Sequence, residues 1–174
     1  MRDTSKHGFM TKFPAVAFVA VFVATALLAG TAEAHSYGDA RKQRMHIKHR
    51  ARSQIGAPYR SGGTTPRGFD CSGFTRWVFR HHGSPLPHSS LAQFRLPRKR
   101  EGVKRIWSRH HLRIGDLVFH KTGSARVGHA GIYLGHGRFI SATSSEGVQV
   151  RSVWDRHYWG RRWAGATRLR VTQR

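Results

Sequence analysis

The hydrophobic rhythm of this chain changes once, near Ile114, and that change limits the folds open to it. Before it, Phe74, Trp77 and Val78 recur at i, i+3, i+4, the spacing of a buried helix face. Beyond it the period falls to two. Leu117 to His120, His129 to Leu134, Arg138 to Ala142, Val148 to Val153 and Gly165 to Val171 read as five short strands parted by glycines, polar turns and one aromatic loop. Helices first and strands after predict an α+β domain, with N-terminal helices packed on a five-stranded, mainly antiparallel sheet. No internal repeat is visible.

The helix that carries Phe74 is bounded by clear signals. Upstream, Gly62, Gly63, Pro66 and Gly68 break Tyr59 to Gly68 into a loop, while Asp70 is an N-cap and Gly83 a stop. The helix is therefore expected from about Cys71 to His82. A preceding helix ends near Ile55, and Ser89 or Ser90 caps a short one bearing Leu91 and Phe94. Cys71, the only cysteine, falls on a first helical turn, where dipole and a neighbouring imidazolium favour a nucleophilic thiolate. The alternative is a small buried core residue. Asp70, Ser72 and Gly73 are poor neighbours for a packed interior.

Residues 1–34 have the layout of a secretory signal. Arg2, Lys6 and Lys12 precede an apolar run from Phe13 to Gly30, and Ala32-Glu33-Ala34 is an A-x-A cleavage site. The apolar run is just at the length of an uncleaved anchor, but Pro14, its alanines and the cleavage site favour a signal. Thr31 stands where a bacterial lipoprotein would need cysteine. A lone thiol in an exported chain has no disulfide partner, which points to reactivity. The expected organisation is a signal at 1–34 and one domain over 35–174, its core about 40–171.

Charge narrows the chemistry further. The chain has 31 Lys and Arg against 8 Asp and Glu, a net charge of +23. Such a surface attracts polyanions. The acids beyond residue 34 are Asp39, Asp70, Glu101, Asp116, Glu146 and Asp155, too few for paired-carboxylate glycosidase chemistry or a carboxylate-held metal. No metal or other cofactor is expected. Arg95 to Arg113 reads as an irregular basic insertion at 95–113 around Trp107, a solvated loop rather than a nucleic-acid module.

His129 is the candidate base. It is one of thirteen histidines, set apart because Gly128, Ala130 and Gly131 leave room for another element against the ring. A cysteine–histidine pair usually needs a third polar group to hold the second ring nitrogen. A two-residue turn at His136-Gly137 would set Ser144 opposite His129 and Ser141 opposite Ile132, unless a bulge at a glycine changes the register.

These residues fall into blocks that resemble one family. Ile55-Gly56-Ala57-Pro58-Tyr59-Arg60-Ser61-Gly62-Gly63, Phe69-Asp70-Cys71-Ser72-Gly73-Phe74, Gly115-Asp116-Leu117-Val118-Phe119, and His129-Ala130-Gly131-Ile132-Tyr133-Leu134-Gly135 with Gly137-Arg138-Phe139-Ile140 are similar to the NlpC-type bacterial cell-wall peptidases. The resemblance implies a papain-like fold and hydrolysis of amide bonds in peptidoglycan stem peptides, commonly from D-glutamate to the diamino acid. It implies Cys71 as nucleophile, His129 as base, Tyr59 with the Cys71 N–H as oxyanion donors, and Asp70 with Ser72 toward the substrate. For Tyr59 the alternative is a packing role. One position departs from the pattern: the third catalytic site, usually histidine, is Ser141 here. Ser141, Ser144 or a water are the candidates for orienting the base.

The expected function is thus a secreted, periplasmic or wall-associated cysteine endopeptidase remodelling the cell wall, drawn to anionic wall polymers by its basic surface, without a specific nucleic-acid partner or stable membrane anchor. The alternative is a cationic wall-binding module on the same fold with little or no turnover. An acyltransferase on that scaffold stands third, and a secreted nucleic-acid binder last.

Overall fold

The computed structural model describes residues 38–170, so the signal expected at 1–34 lies outside the described residues, as does Val171. The described residues from Asp39 onward form one compact unit.

Helix α1 covers 38–52 and buries Ile47 and Ala51. It stops short of Ile55, which is exposed. Helix α2, Cys71–Phe79, starts where Asp70 caps it: the backbone at Asp70 is extended (φ −88°, ψ 174°) and the carboxylate accepts the Gly73 N–H at 2.6 Å. The helical part ends three residues before the expected His82, and the chain turns onward to Gly83 at φ +67°. Ser89 caps α3, Ser90–Arg95, by accepting the Ala92 N–H.

Eight strands follow the sequence order: β1 Thr64–Thr65, β2 Gly68–Phe69, β3 Lys104–Ile106, β4 Leu117–Thr122, β5 Ala125–Gly135, β6 Arg138–Thr143, β7 Gly147–Ser152 and β8 Trp163–Arg168. β1 and β2 form a hairpin beside α2. The other six make one antiparallel sheet in the order β3-β8-β4-β5-β6-β7. The expected sheet of five therefore gains an edge strand. β3 lies inside the stretch read as an irregular basic insertion, and its Lys104 and Arg105 hid it, since charged residues on a short edge strand guard against further pairing. Arg105 is part of the packing. Its guanidinium donates to the Phe94 carbonyl and, at 3.0 Å, to Thr167, and burial lowers its pKa to about 10.

The two faces of the sheet have different covers. Ala130, Ile132, Leu134, Ile140, Leu117 and Phe119 pack against Phe74, Val78, Phe79 and Phe94 of the helices, forming the main core. On the other face Val118, Tyr133 and Phe139 pack with Val153, Trp159 and Ala166 beneath the loop after β7. β5 lies near the middle of the sheet and supplies both faces.

Two close approaches fix α2. A Cβ on Gly73 would come within 2.0 Å of the Gly63 carbonyl oxygen, so only glycine lets this loop rest on the helix. Gln93 of α3 is fully buried and joins the helices: its amide donates to the Ser72 and Pro87 carbonyls, and its oxygen accepts from Thr75. The result is a rigid seat for Cys71.

Candidate active site

Cys71 opens α2 and is partly exposed, as expected for a thiol on a first helical turn. Its sulfur accepts backbone N–H groups from Ala130 of β5, from Ser72 and from its own residue. The contact with Ala130 brings α2 against the strand next to His129. Cys71, His129 and Tyr59 line one cleft of about 490 Å³, together with Ser144, Glu146, Arg151, Tyr158 and Trp159. Residues 58 positions apart in sequence thus share one opening.

The electrostatics differ from the sequence expectation. Burial pushes the thiol pKa up, the Asp70 carboxylate pushes it further in the same direction, and the three N–H contacts oppose them. Burial also lowers His129 to about 4. The pair therefore rests as neutral thiol and neutral imidazole, not as thiolate and imidazolium. Helix-end stabilisation is outweighed by desolvation. Tyr59 is half exposed on the loop that bridges to Phe69, and burial, then Cys71 and Asp70, raise its pKa, so its hydroxyl stays a donor at neutral pH.

Asp70 and Ser72 are engaged with the fold. Ser72 is buried and its hydroxyl donates to Asp70 Oδ1 at 3.0 Å; Asp70 Oδ2 lies 2.7 Å from His88 Nε2. Neither residue is among those that line the cleft. Ser72 and Gly73 pack inside despite their polarity, because cap and inter-helix bonds satisfy their polar groups.

The base sits within a strand, since β5 starts four residues before the expected His129. The turn at His136-Gly137 forms with φ of +50° and +69°, as a two-residue hairpin requires. A bulge at Gly135 then shifts the register by one: Ile132 pairs with Ile140 and Tyr133 with Phe139. Ser141 lies beside Gly131, where a Cβ would meet Ser141 Cβ at 3.1 Å, and not opposite Ile132; Ser144 correspondingly loses its place opposite His129. Ser141 is fully buried on the face that carries His129, and its hydroxyl has no hydrogen-bond partner.

Three residues near the site escaped the sequence reading. Trp159 stacks on His129 with ring centroids 4.8 Å apart. Arg151 pairs with Glu146 at 2.7 Å in the cleft wall. His120 of β4 is the cross-strand partner of His129 and is completely buried. Alternation along Leu117 to His120 was the available signal, since it places His120 on the face of Val118. Among the described residues no three histidine, cysteine or carboxylate side chains gather in metal-ligating geometry.

Comparison with known proteins identifies the architecture. The sequence profile of the NlpC/P60 family matches residues 56–168, most of the described unit. The chain belongs to the NlpC/P60 family.

Relatives within this family share the span that holds the cleft. The murein DD-endopeptidase MepS/murein LD-carboxypeptidase of Escherichia coli K12 is 41% identical over 115 residues, covering 66% of this chain and 56% of that protein. The probable peptidoglycan endopeptidase LytE of Bacillus subtilis 168 is 38% identical over 119 residues, covering 68% of this chain and 32% of its own length. This chain thus spans about half, or less, of the curated relatives that it matches. The crystal structure of the NlpC/P60 domain of the peptidoglycan hydrolase SagA superposes with a TM-score of 0.55 at 33% identity, covering 72% of this chain and 98% of that domain. The α+β architecture is therefore that of NlpC/P60 domains.

Proposed function

We propose that this NlpC/P60 chain is a cysteine endopeptidase that hydrolyses amide bonds in peptidoglycan stem peptides, with the bond from D-glutamate to the diamino acid as its target. The observation that carries the reading is the shared cleft: Cys71 on the first turn of α2 and His129 on β5 open into one space, with the sulfur against the Ala130 N–H. The murein and peptidoglycan cleavage named for the relatives supplies the substrate class.

In this reading the thiol of Cys71 attacks the substrate carbonyl as its proton passes to His129. The Sγ–C bond forms, and the oxyanion is held by the Tyr59 hydroxyl and the Cys71 N–H. His129 then returns the proton to the leaving amine as the C–N bond breaks. Water, deprotonated by the same ring, releases the acyl fragment and restores the thiol. His129 Nε2 is buried, which leaves Nδ1 for the cleft and for Cys71. Asp70 acts by capping α2, and its carboxylate with the Ser72 hydroxyl is the polar pair offered to a substrate amine in this reading.

Residues 1–34 act as a secretory signal, so the enzyme works outside the cytoplasm on the wall. The domain occupies 35–174, and the basic groups around 95–113 hold it on anionic polymer. Among the described residues no helix is long and apolar enough to cross a membrane. Mass spectrometry of purified peptidoglycan after incubation with residues 35–174 tests the reading. New amino and carboxyl ends made by this protein and absent with Cys71→Ala support it. Intact fragments, with both proteins sedimenting on the wall in a salt-sensitive way, favour the binding-module alternative.

A further inference from the structure

A second hollow, of about 420 Å³, is one that the proposed reaction does not use. Buried Phe94 lines it, and three elements bring guanidiniums to it: Arg95 and Arg98 from α3 and the turn after it, Arg105 from β3, and Arg126 from β5. Among the described residues no carboxylate pairs with any of these four. Arg95, Arg98 and Arg126 are exposed, and their guanidiniums make no hydrogen bond within the described fold. Burial first, and then the like charge of Arg98, lowers Arg105 to a pKa of about 10, so it stays charged at neutral pH. Positive charge is thus gathered in one concave place without a counter-charge from the protein.

Trp107 lines the same hollow. It is 62% exposed, more than any other large apolar side chain among the described residues. Its ring meets Phe94 edge-on at 6.4 Å, and the Arg105 guanidinium lies 5.5 Å from its centroid. Guanidiniums match phosphate through paired N–H groups, and an indole offers a flat apolar face to a ring. Charges from several elements around one such face suit a ligand in which charge repeats on either side of an uncharged ring. The hollow also adjoins the catalytic cleft. Thr122 and Gly128 line the cleft, whereas Ala125 and Arg126, which lie between them in the β4–β5 hairpin, line the hollow.

We propose that this hollow binds a sugar phosphate unit of an anionic wall polymer, the guanidiniums taking its phosphodiesters and the Trp107 ring the sugar between them. The inference deepens the attachment to anionic polymer proposed above and rests on it for the source of the ligand. A nucleic-acid strand offers the same phosphates, but surfaces that hold single strands stack successive bases on several rings along a basic track. Here Trp107 is the single exposed ring in a hollow the size of a small-molecule site. A polymer seated there would lie beside the cleft that takes the stem peptide.

Isothermal titration of the Cys71→Ala protein, in which wall hydrolysis plays no part, tests this with three probes. They are a synthetic tetramer of N-acetylglucosamine joined by phosphodiesters, the uncharged tetramer of the same sugar, and tetrathymidylate. The phosphodiester tetramer should bind most tightly, and less so as salt rises. Arg98→Gln/Arg126→Gln is expected to weaken it on the order of 10-fold and to lower the slope of log Kd against log salt by about 2. Trp107→Ala should weaken it several-fold and leave that slope unchanged. Arg52→Gln/Arg138→Gln removes as much charge from exposed positions outside the hollow and should have the smallest effect. Equal losses from the two arginine pairs, no loss with Trp107→Ala, or equal binding of the uncharged tetramer would overturn the inference. Tighter binding of tetrathymidylate would overturn it in favour of nucleic acid. The outcome is independent of cleavage: a protein that cuts peptidoglycan but binds no probe loses this site alone, and one that binds without cutting loses only the catalytic reading.

Discussion

The two halves of the cleft are built on opposite principles. On the α2 side the polar groups flanking the nucleophile in sequence are tied: Asp70 accepts from Gly73 and Ser72 and meets His88, while Gln93 binds the Ser72 carbonyl. On the strand side the base lies among aromatic rings, and His129, His120 and Ser141 hold buried atoms with no partner. Local capping places the thiol; tertiary packing places the imidazole. The first arrangement is rigid, whereas the second keeps its histidines neutral.

The contrast breaks most severely at Gly73. Any Cβ there meets the Gly63 oxygen at 2.0 Å, between two stretches of backbone that cannot swing aside. Gly73→Ala is expected to cost on the order of 4 kcal/mol or more, well outside the range of surface changes. Urea unfolding measures it. A midpoint near that of the unsubstituted protein would mean that the seat of Cys71 is softer than described.

Acid separates the halves next. Folded values of about 3 for His120 and about 4 for His129 lie below the value of about 6.5 in an open chain. The unfolded chain therefore binds these protons first as pH falls. Stability from the two rings is complete above about pH 6.5 and is lost on descending from there toward pH 4, at up to about 1.4 kcal/mol per pH unit for each ring. Urea midpoints from pH 7.5 to 4.5 report the slope, and His120→Phe should remove about half of it. A flat profile would show that the rings are not buried neutral.

The cap itself gives the smallest effect. Asp70→Ala removes the side chain that starts α2 and is expected to cost about 1 kcal/mol, with a modest fall in thermal midpoint. His88→Ala should cost less, because the partly exposed His88 is only one of three partners of Asp70.

This division also explains what the sequence could reveal. The start of α2, the Ser89 cap of α3 and the His136-Gly137 turn are decided by neighbours within a few residues, and each formed as its local chemistry required. The α+β order followed from the change in period near Ile114. What stayed hidden depended on distant partners. β3 was masked by Lys104 and Arg105, whose meaning came only from pairing with β8. The bulge at Gly135 moved Ser141 from Ile132 to Gly131, a one-residue shift that no periodicity displays. His120 looked like the polar end of a strand until pairing with β5 set it beside His129. The thiol was expected to be acidic at its helix end, but its burial depends on the whole sheet packed against it.

The central claim is that Cys71 and His129 act as one covalent catalytic unit, and intact-protein mass spectrometry during turnover tests it most directly. Protein quenched with acid while cleaving a soluble stem peptide should carry the mass of the acyl fragment on Cys71. The adduct should vanish in Cys71→Ala and fail to accumulate in His129→Ala. Continued peptide cleavage by Cys71→Ala, at the rate of the unsubstituted protein, would contradict the account.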